Sequence, residues 1–453
     1  MNEVGTAGKA PAVKLLRTLT LWDLILYGVI IIQPTAPMSV FGVLSDRGHG
    51  HVVTTILIAM FAMLFTAISY GRMARAYPSA GSAFTYVGKE INPALGYITG
   101  WSMVMDYMLN PIICVIWISN QAHAFAPGLP YWLWAVFFSL MLVYLNVLGI
   151  RISARINAGL AAGMGIVIAI FFIAAAHYIF GHPHDGTEFF TRPFFDPATF
   201  STRAVLGGTS VAVLTYIGFD GISTLSEEAK NPRRNILLAT VLTCIAIGIL
   251  SAGTVYAAQL LWPASQPFPD LTTAFVYIAG RAWPPLFLIV GWTLMVANFG
   301  SAMTAQMGAA RLLFGMGRSN ALPRAFFGAV DPKRRIPRNN IFFVGLVTLT
   351  GCFVLDYGLG AEMLNFGALI AFMGVNIAAL LRYYVREPQK RLINLIPPVL
   401  GFSVCLLLWL SLSRTAQVAG AAWMLVGIGF GAWKTSNFRG ELVNFDFSTE
   451  DNA

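Results

Sequence analysis

The chain has 453 residues, of which 57% are hydrophobic and only 11% are charged, and its formal net charge is +9. A soluble domain usually carries about a quarter charged residues, so this chain has too few to cover a surface that faces water. The same composition excludes disordered, collagen-like and coiled-coil proteins. It predicts an all-α polytopic membrane protein, whose outer surface is solvated largely by lipid.

Apolar segments long enough to cross a bilayer occur about twelve times along the chain. A helix needs roughly 20 apolar residues to span the hydrocarbon, and the short alternating segments typical of a transmembrane barrel do not occur in the sequence. Each segment is therefore predicted to be a helix. The predicted spans are 22–44, 52–77, 94–122, 131–148, 154–180, 204–227, 235–261, 285–317, 340–356, 361–384, 394–412 and 417–436.

Basic residues are distributed unevenly between the two sides of this arrangement. Twelve spans place both termini on one side, and all but five of the 29 Lys and Arg residues fall on that side. The five on the opposite side are Arg47, Arg192, Arg203, Arg281 and Arg414. Because Lys and Arg are enriched in cytoplasmic loops, both termini are predicted to be cytoplasmic. The same bias explains the basic character of the chain without a nucleic acid partner.

The first predicted span contains the sequence Gln33-Pro34-Thr35-Ala36-Pro37. Proline lacks an N–H group and clashes with the preceding turn, so two prolines interrupt a helix. Backbone groups freed at this depth must line a cavity or be buried in protein. The alternative is a simple proline kink between packed helices, which does not require the Gln and Thr side chains beside it.

The sixth predicted span carries Asp220 between two glycines, Gly218 and Gly221. Glycine weakens the helix, and a carboxylate at this depth costs about 2.5–3.5 kcal/mol on insertion scales. Asp220 is therefore predicted to face a cavity or a partner. The alternative is a structural carboxylate that caps the amides of a broken helix.

The two breaks fall in the first span of each half of the chain. A unit of five spans inverts its orientation when it is repeated, and paired broken helices indicate a transporter's binding site near the midplane. The predicted organisation is a cytoplasmic segment 1–20, a transport core 21–384 and a cytoplasmic tail 437–453. Within the core the repeats cover about 21–180 and 204–384, and two peripheral helices occupy 394–436.

Asp106 is the second carboxylate well inside a span, and on a helix it shares a face with Asn110, with Tyr107 beside it. A carboxylate, a phenol and an amide suit an amine ligand, whereas the alternative is a hydrogen-bond cluster between helices. No Lys or Arg falls in a span core to neutralise Asp106 or Asp220. Both are therefore candidates for proton coupling, or a cationic substrate compensates them.

The remaining polar motifs give no indication of an enzyme. The four cysteines lie in apolar runs without metal-ligand spacing, and the sequence has no P-loop, no GxSxG elbow and no HExxH motif. No metal site and no cofactor are therefore predicted.

The run from Tyr216 to Asn235 resembles the sixth-helix signature of permeases in the amino acid–polyamine–organocation (APC) superfamily. The stretches 64–71, 77–86, 316–320 and 365–372 resemble the bacterial putrescine importers of that superfamily. The resemblance implies a LeuT-type 5+5 inverted repeat with two peripheral helices, in a bacterial-type inner membrane. It places the substrate between the broken first and sixth helices, with the third, eighth and tenth helices as walls. With Tyr107 and Asn110, the candidate substrate contacts are Gln33, Pro34, Thr35, Ala36, Tyr216, Gly218, Phe219, Asp220, Trp292 and Asn298.

Three positions depart from the pattern that the resemblance implies. A fifth-helix lysine of cationic amino acid members is replaced by Met164, and a first-helix carboxylate of putrescine importers is replaced by Ser39. The aromatic gate of arginine/agmatine antiporters falls on Leu214, so gating would have to use Phe219, Tyr216 or Trp292.

These patterns predict a secondary active importer of a small amine, with a polyamine such as putrescine as the first substrate and proton coupling as the energy source. An amino acid permease or exchanger of the same superfamily is the alternative. A membrane sensor is disfavoured because the predicted tail of about 17 residues is too short for an output domain. A channel is disfavoured because the polar positions are isolated and form no continuous stripe.

Overall fold

The computed structural model describes residues 18–77, 82–149, 154–183, 186–226, 229–262, 266–318, 322–331, 334 and 336–435. The predicted tail 437–453 lies outside these residues, and the predicted segment 1–20 is described from residue 18 onwards. Within them, the secondary structure is helical apart from an isolated bridge between Leu19 and Ala229.

Sixteen α-helices account for most of the described chain. In chain order they are α1 (Leu21–Ile32), α2 (Ala36–Arg47), α3 (Val52–Ala76), α4 (Ser82–Glu90), α5 (Pro93–Phe125), α6 (Tyr131–Val147), α7 (Ala154–Gly181), α8 (Thr202–Ala212), α9 (Pro232–Leu261), α10 (Ala274–Ala282), α11 (Leu286–Arg318), α12 (Arg324–Phe327), α13 (Arg338–Val354), α14 (Tyr357–Leu380), α15 (Leu392–Leu410) and α16 (Arg414–Lys434). Short 3₁₀ helices follow α8 at Val213–Thr215 and Phe219–Leu225, and a π-helix at Leu381–Val385 extends α14.

The membrane-spanning elements agree with the predicted spans. Among the described residues, nine helical segments are long and apolar enough to cross a membrane, and α1 with α2 forms a further span that is bent by 46°. The shorter apolar helices α6 and α13, of 17 residues each, complete the twelve. The fold is therefore an all-α, multi-pass membrane protein, as the composition predicts.

The same order of elements occurs twice in the chain. A broken span (α1 and α2) is followed by α3, the short helix α4, and the spans α5, α6 and α7. The second broken span, which begins with α8, is followed by α9, the short helix α10, and the spans α11, α13 and α14. The sequence predicts neither α4 nor α10, because nine residues are too few to cross a bilayer and neither helix belongs to an apolar run as long as a span. Their matching positions agree with the 5+5 repeat.

The peripheral helix α16 is attached to α5 by aromatic contacts. The rings of Trp101 and Trp423 are stacked with their centroids 4.9 Å apart. Each indole N–H donates to the backbone carbonyl of the other residue, at 2.9 and 3.2 Å. The Tyr97 hydroxyl also donates to the carbonyl of Gly427, at 3.0 Å. These bonds satisfy polar groups that lipid cannot satisfy.

We expect external thiol reagents to label Ala198→Cys and not Ala325→Cys in intact cells, because the distribution of basic residues places these positions on opposite sides. Both alanines are exposed, and the four native cysteines are buried, so the background is low. After permeabilisation both variants should react equally. Labelling of Ala325→Cys alone in intact cells would reverse the predicted orientation.

Candidate functional site

The break in the first span covers three residues, Gln33 to Thr35. Gln33 has a positive φ of 66° and ends α1, and α2 begins at Ala36 with Pro37 in its first turn. Such a backbone conformation is uncommon for a residue other than glycine and is strained. Since α1 stops and α2 starts again at an angle, the last carbonyls of α1 are left for other partners. The first amides of α2 are bonded within the break, because the N–H of Ala36 donates to the carbonyl of Gln33 and that of Met38 to the carbonyl of Thr35, both at 3.0 Å.

The break in the second repeat lies directly against the first. After the 3₁₀ turn at Val213–Thr215 the backbone reaches Gly218, which has a φ of 120°. A Cβ atom at Gly218 would lie 2.6 Å from Cγ2 of Ile31 and 3.2 Å from Cγ1 of Ile32, at the end of α1. Glycine is thus required here both for its backbone conformation and for the close approach of the two spans.

Asp220 belongs to the short 3₁₀ helix that follows this break. Its Oδ1 accepts a hydrogen bond from the backbone N–H of Gly218, at 3.2 Å. The carboxylate therefore has a capping role, as the structural alternative proposes. The backbone amides of Asp220 itself and of Gly221 also interact with this carboxylate. An ionised carboxylate has about four acceptor sites, so part of its acceptor capacity remains for a ligand.

Asp106 and Tyr107 on α5 lie near Asp220. The charges of Asp106 and Asp220 are close enough to interact, and the Tyr107 phenol interacts with both. All three side chains are surrounded by protein, yet each remains partly accessible to water. Their accessible surface therefore faces space inside the bundle, where the charges of the two carboxylates interact.

The ion pairs that the structure describes do not include either carboxylate. The described basic groups that pair with acids are Arg47, Arg338, Arg382 and Arg386, and their partners lie elsewhere. Among the residues described there is also no cluster of His, Cys, Asp and Glu that could hold a metal ion. Two carboxylates at one internal site, without a described cation, attract a cationic ligand or protons.

An aromatic cluster packs beside the site and includes a predicted contact residue. Phe219 is fully buried, and its ring lies 5.6 Å from that of Tyr70 on α3 and 5.3 Å from that of Phe372 on α14. Tyr70 also packs against Tyr86 of α4, and both phenols interact electrostatically with Asp220. Phe219 thus anchors the second break to α3 and α14.

The side chains of the first break contact α11 and α7. Nε2 of Gln33 donates to the carbonyl of Ala297 on α11, at 2.8 Å. Oγ1 of Thr35, which is almost fully buried, lies 3.6 Å from Sδ of Met164 on α7. Met164 therefore occupies the place beside the break that the resemblance assigns to a lysine, and it brings no charge to it.

The predicted residues Asn298 and Asn110 take part in contacts between helices. Nδ2 of Asn298 donates to Oγ of Ser39 at 3.1 Å and to the carbonyl of Leu294 at 2.9 Å. Oδ1 of Asn110 accepts from Oγ of Ser301, at 3.4 Å. Asn110 remains partly accessible, whereas Asn298 is buried. Asn298 therefore forms a hydrogen bond with Ser39, the position at which the resemblance implies a carboxylate.

The structure does not bring Trp292 or the Tyr216 side chain to the internal space. Trp292 is 57% exposed on the outside of α11 and packs against Phe125. Tyr216 is fully buried, and its hydroxyl donates to the carbonyl of Ile56 on α3, at 2.9 Å. Trp292 points outwards, and Tyr216 holds the second break against α3, so neither is placed as a gate.

The sequence does not indicate that two further tyrosines lie near the site. Tyr27 on α1 interacts electrostatically with Tyr107, and Tyr70 does so with Asp220. Both lie in ordinary apolar runs, and only the packing of α1 and α3 beside α5 and the second break brings them together.

Ion pairs connect the two ends of α14 to elements near the two breaks. At one end, Nη2 of Arg47 lies 3.0 Å from Oε1 of Glu362 and so connects α2 to α14. At the other end, Glu90 of α4 is 1% exposed and pairs with Arg382 and Arg386, each at 2.5 Å. The hydroxyl of Tyr77 also donates to Glu90, at 2.7 Å.

The Tyr77 phenol remains a donor throughout the physiological range. Burial raises its pKa, and the hydrogen bond to Glu90 raises it further. The Glu90 carboxylate is thus held by two guanidinium groups and one phenol, in a position where it has almost no contact with water.

Replacing Pro34 and Pro37 with Ala should re-form helix across the first break, because proline is about 3 kcal/mol less favourable than Ala inside a helix. A continuous helix would move Gln33 away from Ala297, and we expect substrate uptake to fall at least tenfold with normal membrane insertion. The matched control replaces Pro397 and Pro398, which lie inside the peripheral helix α15, and should leave uptake unchanged. Equal uptake by both double variants would show that the break is an ordinary proline kink without a role in transport.

Comparisons with a family profile and with individual relatives identify the same family. The profile of the amino acid permease family matches residues 36–438. The chain is 33% identical over 443 residues to the low-affinity putrescine importer PlaP of Escherichia coli K12, covering 96% of this chain and 97% of that protein. It is 24% identical to the branched-chain amino acid permease BcaP of Bacillus subtilis, with 91% of each chain covered.

A solved structure shows the same fold at low sequence identity. A crystal structure of a mutant manganese transporter from Eremococcus coleocola matches with a TM-score of 0.54 and 13% identity, covering 92% of this chain and 96% of that one. That likeness supports the arrangement of helices and carries no information about the substrate. The fold, the paired breaks and the match over most of the length together show that the chain belongs to the amino acid permease family of the APC superfamily, a family of membrane transporters and not of enzymes.

Proposed function

We propose that this permease imports a small amine, with a polyamine such as putrescine as the first substrate, by alternating access and with proton coupling. The proposal is supported by the pair of carboxylates Asp106 and Asp220, whose charges interact inside the bundle and for which the described ion pairs include no cationic partner. A substrate ammonium group would supply the missing charge, and the Tyr107 hydroxyl would accept a further hydrogen bond from it.

A dicationic substrate fits two carboxylates better than a monocation does. A charged group that leaves water needs a partner of opposite charge, and each buried charge without such a partner costs several kcal/mol. The relative PlaP is by name a putrescine importer, which agrees with this choice. When no substrate is bound, protons on Asp106 or Asp220 would balance the site, and this exchange gives a route to proton coupling.

An amino acid is the second candidate substrate, and a specific observation favours it. Ser39 bonds to Asn298 where a further carboxylate would suit a diamine. The break also places the positive end of the α2 dipole at the site, and this end of a helix would attract the α-carboxylate of an amino acid. An amino acid would place its ammonium at Asp220 and its carboxylate at α2.

Alternating access requires that the two ends of the site open in turn. We propose that the pairs at the ends of α14 separate in turn, with Arg47 and Glu362 leaving one another on the outer side and Glu90 leaving Arg382 and Arg386 on the cytoplasmic side. Because each pair joins α14 to an element beside a break, substrate bound at the breaks can bias both equilibria.

Uptake into proteoliposomes tests the proposal. Radiolabelled putrescine should accumulate against its gradient when the outside is made acidic relative to the lumen, and a protonophore should abolish the accumulation. Excess unlabelled putrescine should compete more strongly than leucine or arginine. Uptake of an amino acid with no uptake of putrescine would replace the first candidate with the second, and equilibration without accumulation would remove the proton coupling.

A further inference from the structure

A basic pocket lies at the end of the α3–α9 helix pair, away from the transport site. It has a volume of about 390 Å³ and is lined by Arg75 of α3 and by Arg233, Arg234, Leu237 and Leu238 of α9. The three arginines lie on the side that the distribution of Lys and Arg predicts to be cytoplasmic.

The charge of this pocket has no internal partner in the described part of the chain. The ion pairs found there do not involve Arg75, Arg233 or Arg234, and all three side chains are exposed. The positive end of the 30-residue helix α9 adds to the same field, and the Asn231 side chain does not cap that end. Three guanidinium groups with forked donors at one pocket suit a phosphate group.

The position of the pocket distinguishes a lipid headgroup from a soluble anion. Its lower wall is apolar, and Leu238 continues along α9 to Leu242 and Ile249, which are 42% and 62% exposed on the same helical face. On α3 the face below Arg75 carries Phe61, which is 54% exposed. A phosphate bound by the arginines therefore lies above exposed apolar side chains of α3 and α9 that acyl chains can contact.

We propose that this pocket binds the phosphate headgroup of an anionic phospholipid of the cytoplasmic leaflet, with its acyl chains along the outer faces of α3 and α9. Basic pockets between membrane helices on the cytoplasmic side are typical sites for such headgroups. The pocket lies beside a close approach of α3 and α9, since a Cβ atom at Gly71 would lie 2.6 Å from Cα of Leu237. A lipid there holds two helices that flank both broken spans.

Native mass spectrometry of the purified protein, with equal amounts of phosphatidylglycerol and phosphatidylcholine, tests the proposal. The native chain should retain more phosphatidylglycerol than phosphatidylcholine. In a variant with Arg75→Gln, Arg233→Gln and Arg234→Gln, the ratio of bound phosphatidylglycerol to bound phosphatidylcholine should fall at least tenfold. A charge-matched control with Arg324→Gln, Arg391→Gln and Lys434→Gln should keep it. If the triple variant folds poorly, the single variant Arg234→Gln should still show a reduction of at least threefold.

A second arm separates the lipid from a free anion. Phosphatidylglycerol should raise the melting temperature of the native chain and not that of the triple variant, whereas inorganic phosphate at the same phosphorus concentration should have no effect. An equal rise with inorganic phosphate would overturn the lipid assignment in favour of a soluble anion. Retention of phosphatidylglycerol by the triple variant at the native level would remove the site altogether.

Discussion

Asp220→Asn should weaken the binding of putrescine about 30-fold to several-thousand-fold while the protein folds normally. The loss of a desolvated charge pair costs about 2–5 kcal/mol, and each 1.4 kcal/mol corresponds to a tenfold change in affinity. The amide oxygen can still accept the N–H of Gly218, so the capping bond survives. Isothermal titration of the purified variant, alongside its melting curve, measures both effects.

The alternative in which Asp220 is purely structural gives the opposite result. It predicts a lower melting temperature with near-normal affinity in the protein that folds. A suitable control is Asp356→Asn, because Asp356 also caps a helix, accepting the N–H of Leu359 at 2.8 Å, and lies away from the breaks. Normal putrescine affinity in a well-folded Asp220→Asn variant would remove this carboxylate from the site and leave Asp106 and Tyr107 as its polar groups.

Removing both arginines from the Glu90 cluster should destabilise the protein more than removing Glu90 itself. In the double variant Arg382→Gln and Arg386→Gln, the carboxylate stays buried at 1% exposure without its cations, which costs about 3–5 kcal/mol. In Glu90→Gln, the two guanidinium groups are 38% and 55% exposed and can be rehydrated, so we expect a loss of about 1–3 kcal/mol. Melting temperatures in one detergent would rank the variants.

The control for this prediction removes two cations that have no buried partner. Arg324→Gln with Arg391→Gln changes the net charge equally, and both side chains are exposed, so the melting temperature should change little. If Glu90→Gln proved as destabilising as the double arginine variant, the asymmetry of burial would not be the source of the effect.

Hydropathy and helix breakers predict the spans and both interruptions, because these features depend on local composition. Long apolar runs have few alternatives to a membrane helix, and Pro34, Pro37 and the glycines around Asp220 disrupt a helix wherever they stand. The bounds of the twelve spans therefore agree with the structure to within a few residues at most ends. The short helices α4 and α10 are missed because nine residues are fewer than a membrane span requires.

The direction in which a side chain points is less accessible from sequence. Trp292 and Asn298 are six residues apart on α11, which rotates them by about 240° around the helix axis. Asn298 consequently faces α2, while Trp292 faces outwards. Because apolar residues are distributed around the whole circumference of α11, its sequence does not indicate which face meets the site. The Glu90–Arg382 pair joins residues 292 positions apart, and only the tertiary packing reveals it.

The central claim is that an internal pair of carboxylates recognises the two charges of a diamine. Competition titration of the purified protein with putrescine, N-acetylputrescine and leucine tests it most directly, because the first two differ by one ammonium group. The account predicts that putrescine binds tightest and that acetylation of one end weakens binding at least 30-fold, the lower bound for the loss of one desolvated charge pair. Equal affinity for putrescine and its acetylated form, or tight binding of leucine without binding of putrescine, would contradict it.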